Sequence, residues 1–67
     1  MSQLTVNGKS LVLALPATVF DLLNHLDFDP SRVAIELNGV IVPCACFENT
    51  ELSSNDRLEI VQFVGGG

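Results

Sequence analysis

With 67 residues the chain has room for one domain, and a domain this small buries about 60% of the surface its unfolded form exposes, so its core must be thin. Eight acidic residues against three basic ones give a net charge of −5, which repels phosphate backbones and anionic headgroups and argues against nucleic acid or membrane partners. A 48% hydrophobic content in periodic arrangement argues against disorder, and no apolar run approaches the roughly 20 residues that cross a bilayer.

Two antiparallel strands open the chain. "QLTV" and "SLVLAL" flank Asn7-Gly8, the strongest short-range signal for a tight hairpin, because both central residues of its turn need positive φ. Leu4 and Val6 share one parity in the first strand, and Leu11, Leu13 and Leu15 share one in the second, which selects them as core. After Pro16 the period changes. Val19, Leu22, Leu23 and Leu26 fall at i, i+3, i+4 and i+7, one apolar stripe on a helix of about two to three turns. Thr18 is the expected N-cap, with Asp21 completing a capping box. The helix should end near Asp27, because Pro30 disfavours a helical Asp29.

"VAIEL" alternates Val33, Ile35 and Leu37 against Ala34 and Glu36, and Asn38-Gly39 leads into Val40 to Val42, a second strand pair. From Cys44 to Asp56 the pattern is irregular, with Phe47 and Leu52 as expected buried anchors and Ser53 to Asp56 as a turn. A last strand from Arg57 to Val64 delivers Gly65, Gly66 and Gly67. The expected architecture is α+β: one mixed sheet of about four to five strands with the single helix across one face. The domain should span residues 1–64, followed by a flexible glycine tail at 65–67. Leu58 and Ile60 should face the helix. Val61 and Phe63 should lie partly on the uncovered face, where they either dock to another protein or pack against loops.

Two segments, "VAIELNGVIVP" at 33–43 and "DRLEIVQFVGGG" at 56–67, closely resemble the sulfur carriers of thiamine biosynthesis, a family of ubiquitin-like β-grasp proteins. The resemblance spans essentially the whole chain. It implies a protein co-substrate and not an enzyme, with no catalytic residue, metal or permanently bound cofactor of its own. The carboxylate of Gly67 would be adenylated on an E1-like enzyme using ATP and magnesium, converted to a thiocarboxylate with sulfur from a donor enzyme, and used by thiazole synthase. Gly65 and Gly66 would thread the partner's channel. Val61, Phe63 and Val64 would be partner contacts. Family members often carry a basic residue at the position of Cys44, a tryptophan at Phe47 and a glycine at Asn55, so the irregular connection is where this chain departs.

Elementary chemistry suits that role. An α-carboxyl has a pKa of about 3.3 to 3.7 and is an ionised nucleophile at neutral pH, so no acid or base is needed from this chain. Three extended residues reach roughly 10 Å, and without Cβ atoms they have the smallest cross-section a peptide can offer. A frayed terminus without a function is the plain alternative.

The remaining candidates read as structure. Cys44 and Cys46 are too few and too close to staple a secreted mini-protein, too few for a tetrahedral metal set, and are expected to be small buried or half-buried thiols. With no apolar leader in the first residues, a reduced cytoplasmic setting is expected. His25 reads as a solvated residue on the helix flank, and Glu48, Glu51, Asp56 and Glu59 as a solvated face. Two rival functions stand beside the carrier: the small subunit of molybdopterin synthase, with the same tail chemistry, and a ubiquitin-like modifier or interaction module, whose tail would form an isopeptide bond to lysine.

Overall fold

The computed structural model describes residues 2–63. Strands β1 (Ser2–Val6) and β2 (Lys9–Leu13) form the first hairpin, helix α1 (Val19–His25) follows, and β3 (Val33–Leu37) and β4 (Val40–Val42) form the second hairpin. Strand β5 (Arg57–Gln62) closes the fold, and short 3-10 turns lie at Pro30–Arg32 and Cys44–Cys46. The five strands make one mixed sheet in the order β2-β1-β5-β3-β4. β5 therefore lies at its centre, parallel to β1 and antiparallel to β3.

Both hairpins turn on Asn-Gly with the backbone the sequence demands. Asn7 and Gly8 take φ of 51° and 81°, and Asn38 and Gly39 take 52° and 85°. Two consecutive positive φ values match the right-handed twist of the flanking strands. A third left-handed asparagine, Asn55 (φ 70°), occupies a position where the resemblance calls for glycine. Asparagine tolerates this region better than other side chains do, so the departure keeps the turn.

α1 begins as the capping box requires: Asp21 N–H donates to Thr18 Oγ1 at 3.2 Å, and Thr18 N–H donates to Asp21 Oδ2 at 2.9 Å. It ends slightly earlier than Asp27, with Leu26 as C-cap. Asp27 N–H donates to the Asn24 carbonyl at 3.2 Å and Phe28 N–H to the Leu23 carbonyl at 2.9 Å, the Schellman pairing, with Asp27 at φ 61° in the place glycine usually takes.

The irregular connection between β4 and β5 is tied to the helix start. Val19 N–H donates to the Thr50 carbonyl and Phe20 N–H to the Phe47 carbonyl, both at 3.0 Å, so this segment satisfies donors that the first helical turn cannot. Leu52 N–H reaches the Ala17 carbonyl at 2.9 Å. Phe47 and Leu52 are buried as expected.

The core lies between α1 and one face of the sheet. Leu4, Leu22, Leu23, Ile35, Leu58 and Val19 are its fully buried side chains, and Val6, Leu11, Leu13 and Leu15 pack against it partly buried. One helix covers one face. The opposite face of the sheet is left to solvent.

Candidate functional site

The two parities of β5 have opposite surroundings. Leu58 and Ile60 point into the core, whereas Val61 is 59% and Phe63 is 58% exposed. Among the described residues neither side chain is buried under a loop, and both stand open to solvent. Phe63 lies one residue past the strand, yet its N–H donates to the Arg32 carbonyl at 2.7 Å, so the backbone is still held to the sheet there.

Cross-strand register assembles the rest of this surface. Ala34 stands opposite Val61, Glu36 opposite Glu59, and Ile41 opposite Glu36. Ile41 is 62% exposed. The outcome is an apolar strip of Ala34, Ile41, Val61 and Phe63 with two carboxylates, Glu36 and Glu59, directly facing each other beside it. Like charges at opposed positions cost stability in a sheet, and among the described residues neither carboxylate is in an ion pair. Arg57, the residue before Glu59 on the same parity, faces Thr5.

The glycines and Val64, the expected reacting end and its strand boundary, lie outside the described residues. The cysteines correct an expectation: Cys44 and Cys46 are both exposed, not buried. They lie on the 3-10 turn after Pro43, where Phe47 is the side chain that turns inward, and the Cys44 thiol makes a long 3.8 Å contact to the Pro30 carbonyl. Asp56 is half-buried and does more than face solvent: its carboxylate accepts from Asn38 Nδ2 at 2.9 Å and from Ser53 N–H at 2.7 Å, and so staples the turn. Glu48, Glu51, Glu59 and His25 are exposed as expected.

Asp29 caps the Pro30–Arg32 turn. The Ser31 hydroxyl and N–H, donating at 2.7 and 2.9 Å, hold its carboxyl below the usual carboxylate range, with a smaller contribution from the Arg32 guanidinium. Among the described residues no three His, Cys, Asp or Glu gather as metal ligands, no pocket opens, and no helix is long and apolar enough to cross a membrane.

Sequence reasoning missed two side chains. The Asn-Gly pattern predicts only the φ of Asn7 and Asn38, but both carboxamides bond to β5. Asn7 Oδ1 accepts from Ile60 N–H at 2.7 Å and its Nδ2 donates to the Ile60 carbonyl at 3.1 Å. Asn38 Oδ1 accepts from Arg57 N–H at 2.9 Å. The signal available was the choice of Asn over Asp at both turns, since the amide alone both donates and accepts.

The sequence model of the ThiS family matches residues 2–67. The chain belongs to the ThiS family. Its fold agrees with the crystal structure of a thiamine biosynthesis protein (ThiS) from Geobacter metallireducens, with a TM-score of 0.83 and 35% identity over 97% of this chain and 99% of that one. The sulfur carrier protein ThiS of Bacillus subtilis is 35% identical over 96% of this chain and 98% of its own length. A thiazole synthase from Paramagnetospirillum magneticum is 38% identical over 97% of this chain, a match covering 20% of that longer protein. Family membership makes this chain a β-grasp sulfur carrier, a protein that chemistry is performed on and not a catalyst.

Proposed function

We propose that the Gly67 carboxylate is the group this carrier delivers, first to an E1-like adenylating enzyme and then, as a thiocarboxylate, to a thiazole synthase. A carboxylate oxygen attacks the α-phosphorus of ATP and pyrophosphate leaves, the magnesium ion being the partner's and the nucleotide's. A hydrosulfide equivalent then attacks the acyl carbon, the bond to AMP breaks, and a C–S bond remains. The enzyme must hold the carboxylate in line inside a water-poor site, where positioning and preorganised charge supply most of the rate. The carrier's share is steric. Gly65, Gly66 and Gly67 present no Cβ atoms to a narrow channel, and the apolar strip of Val61 and Phe63 is the docking surface upstream, with Val64 next in the sequence as a further partner contact. Glu36, Glu59 and the net charge of −5 suit a basic partner surface.

One observation carries this reading: the family match runs through Gly67. The thiazole synthase relative supports the choice of acceptor, because a protein that contains a carrier-like segment holds it at high effective concentration near its own site. ATP use is consistent with a cytoplasmic setting.

The test is to incubate the purified chain with an E1-like partner, ATP, magnesium and sulfide, and weigh it intact. Exchange of one oxygen for sulfur is expected. Recovery from cells of lysine-linked conjugates, with no such mass change, would make it a modifier. Capture of a molybdopterin synthase large subunit in place of thiazole synthase would move it to that pathway.

A further inference from the structure

We infer that Asn7 is a positioning residue for the reacting tail, its carboxamide serving as the last rung that fixes the outgoing end of β5. The inference rests on the proposed function, since it concerns how the same carboxyl end is aimed.

The hydrogen-bond ladder shows why. β1 pairs with β5 at Thr5 opposite Arg57 and Val6 opposite Leu58, and there the pairing stops because the chain turns away at Asn7-Gly8. Asn7 N–H donates to the Leu58 carbonyl at 2.9 Å. The next groups that β5 turns toward this edge are the N–H and carbonyl of Ile60, and both are taken by the Asn7 side chain. One carboxamide thus supplies both the acceptor and the donor that two successive rungs of a continuing parallel strand would supply. These bonds are partly buried and span 53 positions of sequence.

On the other edge β3 holds β5 as far as Phe63 N–H, bonded to the Arg32 carbonyl. With the Asn7 rung in place β5 is gripped on both edges up to Ile60. Without it, two-sided support ends at Leu58 and the strand swings on one edge for the last residues before the tail. Asn38 is an internal comparison of the same chemistry. Its carboxamide bonds to Arg57 N–H and to the Asp56 carboxylate, gripping β5 at the end remote from the glycines. One Asn-Gly turn holds the entry of this strand and the other its exit.

Asn7→Gly and Asn38→Gly both keep the positive-φ turn, so both are expected to fold. Each loses two side-chain hydrogen bonds to β5 or its preceding residue. Adenylation is read by ATP–pyrophosphate exchange with the E1-like partner, well below the unfolding temperature of each variant. Asn7→Gly is expected to raise the KM for the carrier about tenfold with kcat unchanged, as loss of two modest hydrogen bonds at the tail's base allows. Asn38→Gly should leave both constants as in the wild type. Amide exchange without any partner should quicken at Ile60 and Phe63 in Asn7→Gly and at Arg57 in Asn38→Gly. Equal KM values for the two variants, or unchanged exchange at Phe63 in Asn7→Gly, would overturn the inference. Absence of exchange activity with the wild type would instead sink the proposed function, while the amide-exchange comparison would still decide whether Asn7 holds the end of β5.

Discussion

The two faces of the sheet are made of the same strands and do different things. On β5, Leu58 is fully buried and Ile60 nearly so, while Glu59, Val61 and Phe63, at alternate positions, face water. The inner parity meets α1 and holds the domain together. The outer parity leaves exposed an apolar strip and an opposed carboxylate pair that the fold itself does not use. Stability and partner recognition are therefore written on alternate residues of one strand, and they can be altered separately.

Five substitutions bear on that separation. Leu58→Ala should have the largest effect, a loss of about 2 to 5 kcal/mol in a domain whose whole stability is of order 5 to 15, read by denaturant unfolding. Phe63→Ala, by contrast, should change stability by no more than about 0.5 kcal/mol. Comparable losses from the two would mean the faces are not independent. Next in size, Val61→Asp should lower kcat/KM for adenylation by at least about tenfold while costing no more than about 1 kcal/mol of stability, because it places a desolvated charge in the proposed interface. A variant that folds as well as wild type and is adenylated as fast would remove Val61 from that interface.

Glu36→Lys sharpens the comparison from the other side. It replaces two facing carboxylates with an opposite-charge pair and should raise stability by about 0.2 to 1 kcal/mol, less at high salt, while weakening docking to a basic partner. A stabilised variant with unchanged partner affinity would show that the opposed pair has no docking role. The smallest effect belongs to Asp29→Asn, at the cap of the turn that leads into β3. The folded-state pKa of Asp29 is depressed by Ser31 and Arg32, so its contribution is present above the usual carboxylate range and fades as pH falls through that range toward the folded value. Unfolding curves of wild type and Asp29→Asn should converge on the acid side, by a small margin because the group is exposed.

Local signals in the sequence carried much of the fold. The two Asn-Gly turns, the Thr18–Asp21 box and the parity of Leu58 and Ile60 each depend on residues a few positions apart, and each appears where the pattern places it. What stayed hidden depends on register between distant strands. That Glu36 faces Glu59, or that the Asn7 amide reaches Ile60, follows from the pairing of β3 and β1 with β5, which no local pattern encodes. The exposure of the cysteines is hidden for a related reason: free thiols are usually buried, but here the 3-10 turn gives the inward position to Phe47. The bond from Asn38 to Asp56 likewise depends on packing of the second hairpin against β5, whereas the bond from Ser53 closes the local turn that the pattern places there. At the candidate site, exposure of Val61 and Phe63 was legible from alternation, and the family resemblance supplied the role of the glycines.

The most direct test of the division between scaffold and reacting end is the intact mass and thermal unfolding of a chain lacking Gly67. The expected result is an unfolding temperature equal to that of the wild type together with no gain of sulfur when ATP, sulfide and the adenylating partner are supplied. A shortened chain that still acquires sulfur, or one that no longer folds, would contradict it.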